Sequence, residues 1–249
     1  MTKETKQNRY EFDKAKHRHT LDGVSLTGCT TVLSVIAKPA LIQWAANQAI
    51  EYVVANATTR GVDTTIVRNE VLDKAKTAHR IKKEKAGDWG TEVHAWIENF
   101  IMSRILQTDT PKPLTDELKA QACNHFVKWA DDNKVVFKES EKNVYSEKMW
   151  IGGIVDIVCE IDGKVWIADI KTGSGIYPEH FWQMAAYDMC LEEMGLYPSM
   201  TGHIVLNCKK DGTFDEKRSV SNEENKKAFL AALTIYRVQE KIKNQVIQK

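Results

Sequence analysis

The stretch GGIVDIVCEIDGKVWIADIKTG, Gly152 to Gly173, decides the reading of the fold. It holds two β-rich runs, IVDIVCEI (154–161) and KVWIADIK (164–171), separated by Asp162-Gly163. That dipeptide suits a two-residue hairpin loop, whose turn positions favour a positive φ. Counting back from such a loop, Ile161 pairs with Lys164 and Asp156 pairs with Asp169. Residues opposed in this way have Cβ atoms roughly 4.5–5.5 Å apart, and like charges there are destabilising. Side chains alternate along a strand, so Lys171 shares the face of Asp169. A second turn at Gly152-Gly153 would pair Met149 with Asp156 and put Glu147 on the same face. The expected patch is therefore Glu147, Asp156, Asp169 and Lys171. One reading is a solvated sheet face on which acids happen to align, since antiparallel sheets often keep one side wet. The strands are rich in Ile, Val, Trp and Cys on both faces, which embeds the acids in apolar surroundings. An uncompensated pair there is costly. A hard divalent cation such as Mg²⁺ is the natural compensator, because it takes one or two carboxylates and keeps positions open for water and phosphate oxygens.

Outward from this stretch the element order is clear. Upstream, residues 1–38 are mixed, with a short β-like run near 24–36. PALIQWAANQAIEYVVANA (39–57) reads as a helix opened by proline, and further helices fit 63–85, 88–107 and 114–133. After Asn133 come VVFKES and NVYSEKMW, ahead of the two strands already named. A helix is expected from Pro178 to Gly195, a strand at 202–209, and a last helix from Ser221, where Ser221 and Glu224 have capping-box spacing. The expected architecture is a single α/β domain, 1–249. Residues 1–133 form a mainly helical N-terminal part, and residues 134–249 a β-β-β-α-β core with a C-terminal helix.

The 249 residues carry 35 Lys+Arg against 34 Asp+Glu, a formal charge of +1, with 43% hydrophobic and 28% charged residues. This balance excludes a disordered chain, and there is no apolar run of roughly 20 residues to span a membrane. Five scattered cysteines without CxxC spacing read as thiols in a reducing compartment. The polar N-terminus lacks a signal peptide's apolar segment. A cytoplasmic location is expected, the host cytoplasm if the chain is phage-encoded, with no membrane partner.

The residues from Gly152 to Gly173, with GTEVH at 90–94 and QMAAY at 183–187, resemble the PD-(D/E)XK nuclease superfamily, and within it the RecB-like exonuclease branch. That branch has, in order, a helix histidine, a G-x-x-D strand, a D-x-K strand and a Q-x-x-x-Y helix. Here these are His94, Gly153 with Asp156, Asp169 with Lys171, and Gln183 with Tyr187. The run LTGCTTVLSVIAKPALIQWAAN also resembles the start of phage-encoded and mitochondrial-type single-domain members. The resemblance implies a restriction-endonuclease-like core, a mixed sheet flanked by helices, with a helical N-terminal elaboration. It implies phosphodiester hydrolysis with one or two Mg²⁺ or Mn²⁺ ions.

In that scheme Asp156, Asp169 and the backbone carbonyl of Ile170 hold metal. Lys171 orients the attacking water or stabilises charge on the phosphate. The resemblance also makes His94 a metal ligand, although its place on the shoulder of the apolar stripe Trp89, Val93, Trp96, Ile97, Phe100 would alone suggest packing. Glu147 either binds a metal through water or faces solvent. Gln183 is expected beside the active site, touching the catalytic lysine or DNA phosphate. Tyr187 shares its helix face and packs or stacks on DNA. Thr172 lies where the chain could pass close to a nucleic-acid backbone.

Upstream, KAKTAHRIKKEK (74–85) places Lys76, Arg80 and Lys83 on one helical stripe, a candidate DNA track or a plain solvated face. The family's iron–sulfur members need three cysteines after the Q-x-x-x-Y helix, and only Cys208 follows it here, so no cluster is expected. No Walker A sequence is present. The leading expectation is a DNA exonuclease acting on single-stranded or duplex ends in recombination, repair or phage DNA metabolism, with a recombinase, single-strand-binding protein or helicase as possible company. The alternatives are a structure-specific endonuclease with the same site and a non-catalytic DNA-binding accessory protein.

Overall fold

A computed structural model of the protein describes residues 9–59 and 65–246. The chain opens with a hairpin, β1 (Tyr10–Asp13) and β2 (Arg18–Leu21), followed by β3 (Val24–Ser25), β4 (Thr27–Gly28) and a helical turn, α1 (Cys29–Val32). Next come α2 (Pro39–Asn56), β5 (Thr58–Thr59), β6 (Thr65–Ile66), α3 (Asn69–Ala75), α4 (Ala78–Leu106) and α5 (Glu117–Asp132). The second half runs β7 (Val136–Ser146), β8 (Ile151–Ile161), β9 (Lys164–Lys171), α6 (Pro178–Glu193), β10 (Met200–Cys208), β11 (Phe214–Ser219) and α7 (Asn222–Val246). Contacts group residues 37–92 as one unit, and the described residues of 1–36 and 93–249 as another. No described helix is long and apolar enough to cross a membrane.

Local chemistry accounts for the element ends. Prolines open α2 and α6, where a missing N–H costs no helical bond. Gly195, at φ +72°, follows the end of α6. Asp116 caps α5 by accepting the Lys119 N–H at 2.9 Å.

The larger unit is built on a six-stranded mixed sheet, ordered β11-β10-β9-β8-β4, with β7 also paired to β8. Strands β7, β8 and β9 form an antiparallel meander, and α6 crosses over to set β10 parallel to β9. Asp162 and Gly163 take φ +50° and +72° and close the β8–β9 hairpin in the expected register, Ile161 against Lys164. Helices α4 and α5 contribute Phe100 and Phe126, which meet edge to face at 6.0 Å, and Phe126 stacks on Phe137 of β7 at 6.2 Å. Burying a ring of this size contributes roughly 1.5–3 kcal/mol. Met184 and Leu191 of α6 and Phe229 and Leu233 of α7 pack with Val158, Ile167 and Val205 of the strands.

The preceding hairpin departs from expectation. Gly152 and Gly153 lie inside β8, and the turn falls at 147–150, so that Ser146 pairs with Ile151 and Asn143 with Ile154. The two glycines answer to packing instead of turning. A Cβ on Gly153 would stand 2.3 Å from Tyr187 Cε1, and one on Gly152 would stand 3.0 Å from His19 Cβ. Glu193 of α6 holds the real turn, accepting the Glu147 and Lys148 N–H groups and the Ser146 hydroxyl. This moves Glu147 away from Asp156. The two runs expected at 135–150 are one strand, β7, with a bulge between Phe137 and Glu139 and with Glu141 at φ +49°. Strand β11 was not expected, because FDEKRS is a charged edge strand without an apolar face to reveal it.

Gly153→Ala should therefore lower the melting temperature well beyond a surface substitution, by overpacking worth about 1–3 kcal/mol. Calorimetry of a double-mutant cycle with Tyr187→Leu checks the cause, since the second change should recover part of the loss.

Candidate active site

Strands β8 and β9 pair from their turn only as far as Ile157 against Ala168. Asp156 and Asp169 come next, one step past the end of the ladder. From there β9 continues against β10 alone, with Asp169 beside Val205 and Lys171 beside Asn207. The start of β8 is paired on this side by β4, Thr27 with Ile151 and Gly28 with Gly152. Between these two pairings the strands separate. The Ile170 N–H donates to Asp156 Oδ2 at 2.9 Å, so a carboxylate takes the place of a backbone acceptor.

Asp169 is only 2% exposed. Its Oδ2 lies 2.7 Å from Lys171 Nζ, while its Oδ1 is buried without a hydrogen-bond partner. Burial pushes the Asp169 carboxyl above its ordinary pKa, the Lys171 charge opposes, and Asp156 adds to the rise. Burial likewise raises Asp156, against the pull of Lys171 and the Ile170 N–H. For Lys171, burial lowers the pKa but the Asp169 and Asp156 charges outweigh it, leaving the ammonium above the usual lysine value. The lysine is thus held charged between two acids that resist joint ionisation.

His94, half-buried on α4, is an electrostatic neighbour of Asp169 and Lys171. Burial lowers its pKa, Asp169 opposes and Lys171 reinforces the drop, so the ring is neutral near pH 7 and its lone pair is available. Gln183 Nε2 donates to the Tyr187 hydroxyl at 2.7 Å, and the Tyr187 ring lies against Gly153. Tyr187 is 4% exposed, which corrects the expectation of a DNA contact: it is a packing residue. Thr172 is half-buried just past β9. Glu147 sits in the β7–β8 turn, bonded to Arg9 at 2.9 Å, and does not join the acids. The basic run lies in the other unit, where Lys74 pairs with Glu70, Lys76 with Asp73 and Lys82 with Glu51, while Arg80 and Lys83 are exposed.

Three further groups belong here. The register on either side of Glu141, Ser140 with Ile157 and Lys142 with Val155, sets Glu141 opposite Asp156. Although its side chain is exposed, desolvation by its surroundings raises its pKa to about 7, and Asp156, Glu98 and Asp169 add to the rise against Lys14. Glu98 stands four residues after His94 on α4, and His180 of α6 is an electrostatic neighbour of Asp169. Placing the turn at 147–150 would have revealed Glu141. Nothing in the sequence marks His180, since its approach depends on the crossover of α6.

Open lone pairs on Asp169 Oδ1, with Asp156, the Ile170 carbonyl and neutral His94 nearby, are a donor set suited to a divalent cation. Among the described residues, no three His, Cys, Asp or Glu side chains already stand close enough to form a closed site.

Without metal, Asp156→Asn should raise the melting temperature at pH 8. It removes one of the opposed charges and keeps an acceptor for Ile170, and at this chain length each kcal/mol moves the midpoint by about 2–4 °C. Glu141 gives a pH signature. Its raised pKa stabilises the fold below its ordinary value of 4.5, and this contribution disappears as pH rises through about 7. The stability of Glu141→Gln relative to wild type should therefore increase from pH 4.5 to above 7, as read from denaturant midpoints.

No curated protein sequence matches the chain. The crystal structure of LHK-Exo in complex with dAMP is similar over 62% of this chain and 82% of that one, with 10% identity and a TM-score of 0.37. The alkaline exonuclease LHK-Exo from Laribacter hongkongensis is similar over 64% and 99%, with 12% identity and a TM-score of 0.30. Residues 68–248 match the PD-(D/E)XK nuclease superfamily, a span that includes His94, Asp156, Asp169, Lys171, Gln183 and Tyr187. By that match, the chain belongs to the PD-(D/E)XK nuclease superfamily.

Proposed function

We propose that the chain is a Mg²⁺- or Mn²⁺-dependent deoxyribonuclease of the RecB-like exonuclease branch, hydrolysing phosphodiester bonds at single-stranded or duplex DNA ends. The supporting observation is the buried Asp169 carboxylate, bound to Lys171 on one oxygen and open on the other, one step past the β8–β9 ladder. Nucleases of this superfamily generally use divalent metal ions. Asp156, Asp169 and the Ile170 carbonyl would hold the cation, with His94 beside them. When bound, it would polarise the scissile phosphate and lower the pKa of the attacking water.

The chain's own groups supply the rest. Lys171 keeps its proton and donates to a phosphate oxygen or to the incoming water. Gln183, whose amide is given to Tyr187, steadies α6 over Gly153 and so fixes the start of the split strand. Burial raises the pKa of both carboxylates, and a cation held between them would favour their joint ionisation. Recombination, repair or phage DNA metabolism is the setting that the family resemblance favours.

Linear and closed-circular DNA, single- and double-stranded, should be incubated with Mg²⁺, Mn²⁺ or EDTA. Linear forms should be degraded with either metal, EDTA should abolish cleavage, and Asp169→Ala should cost at least about 10³-fold, a loss comparable to removing an oxyanion donor. Cleavage indifferent to both EDTA and the substitution would falsify the metal-nuclease reading. Cutting of closed circles would remove the exonuclease mode alone.

A further inference from the structure

The N-terminal hairpin supplies none of the groups proposed to hold metal or to act on phosphate, yet it is fixed firmly beside them. Tyr10, Leu21 and Leu26 are buried in a small core of their own, with Phe12 and Tyr145 of β7 packed against it. The Tyr10 ring stacks on Tyr145 at 5.3 Å, and its hydroxyl bonds His19 Nδ1. His19 in turn lies against Gly152, which leaves room for it by lacking a Cβ. Arg9 ties Asp22 at the base of the hairpin to Glu147, and Trp150 Nε1 donates to the Ser25 carbonyl at 3.0 Å.

From this base the hairpin points its tip along β7. Tyr10 sits at Tyr145. Four residues further on, Lys14 is an electrostatic neighbour of Glu141, four residues back along β7 and opposite Asp156 in register. Lys14, Lys16 and Arg18 are exposed. Lys16 has a loose ion pair with Asp13 at 3.6 Å, and among the described residues Lys14 and Arg18 form no hydrogen bond or short ion pair. An anchored element therefore brings Lys14 to the edge of a cluster of acids, with the exposed Lys16 and Arg18 beside it at the same hairpin tip.

We propose that this tip, through Lys14, Lys16 and Arg18, contacts the phosphate backbone of the DNA strand as it reaches the acids. The proposal rests on the nuclease reading. A polyanion approaching Glu141, Asp156 and Asp169 meets repulsion, and cations at the rim offset it where the strand must come closest. Because the hairpin is already ordered by its own core, little conformational freedom is lost on binding. The basic run at 74–85 differs in this respect, since three of its lysines are engaged with acids of their own unit.

The test is DNA binding by the full chain in the Asp156→Asn background with Mg²⁺, followed by anisotropy with single-stranded and duplex oligonucleotides from 50 to 300 mM salt. Replacing Lys14, Lys16 and Arg18 together by Gln should weaken binding at least tenfold at the lowest salt. It should also make the log–log salt slope shallower by about 2, given ~0.7–0.9 per phosphate contact. Lys14→Glu alone should weaken binding more than Lys14→Gln. The melting temperature should not move, because the three side chains are exposed, and the single variants preserve the test if the triple variant unfolds. An unchanged affinity and slope in folded variants would overturn the role of the tip and leave the nuclease reading standing. Weaker binding with an unchanged slope would also overturn it, pointing to a structural effect. Failure of the Asp156→Asn parent to bind either oligonucleotide, with wild type inert on DNA, would remove both.

Discussion

The site depends on the place where β8 and β9 stop pairing. A hairpin whose ladder ran on past Ile157 and Ala168 would press Asp156 against Asp169 and give the Ile170 N–H to a backbone carbonyl. The separation makes room between the carboxylates and exposes a peptide donor that one of them takes up. Such an opening is not free, because each strand loses ladder bonds while acids are being buried. Its flanks are accordingly well secured: β10 holds the far side of β9 through Lys171, and β4 holds β8 at Ile151 and Gly152.

The residues around the opening work as one packing unit. Gly153 is small because the Tyr187 ring lies on it, Tyr187 is oriented by Gln183, and Gln183 can reach because the two residues are four apart on α6. The G-x-x-D strand and the Q-x-x-x-Y helix therefore specify each other. A glycine in one and a tyrosine in the other set how closely α6 approaches the strand that presents Asp156. At the C-terminal end of the same helix, Glu193 secures the β7–β8 turn. One helix thus fixes β8 at its turn and at Gly153.

How much of this the sequence revealed follows from the range of each interaction. The Asp162-Gly163 turn is a local preference, and it set the register that aligns Asp156 with Asp169 correctly. Pro39, Pro178 and Gly195 marked helix ends for the same reason. Gly152-Gly153 misled because a glycine required by a distant tyrosine resembles one required by a turn, and that error put Glu147 on the wrong face and hid Glu141. Strand β11 was hidden by its charges, and the neighbours of Asp169 on α6 depend on a crossover that no local pattern encodes. The motif residues themselves were legible. What they touch was not, except where the partner lies within the same hairpin or helix.

The charge balance is the remaining feature that tertiary structure reinterprets. A net charge of +1 suggests no attraction for a polyanion, but fields at physiological salt extend only about 8–10 Å, so a nucleic-acid strand responds to the nearest groups and not to the sum. Near the split strands those groups are acids: Asp156, Asp169, Glu141 and Glu98. Any cation that helps DNA approach must stand within that distance, on an element fixed to the same sheet. Lys171 meets the condition inside the cluster, where it is committed to Asp169, and Lys14 meets it at the rim. Neutrality of the whole chain is thus the outcome of a locally acidic centre balanced by cations elsewhere, and the position of each cation matters more than their number.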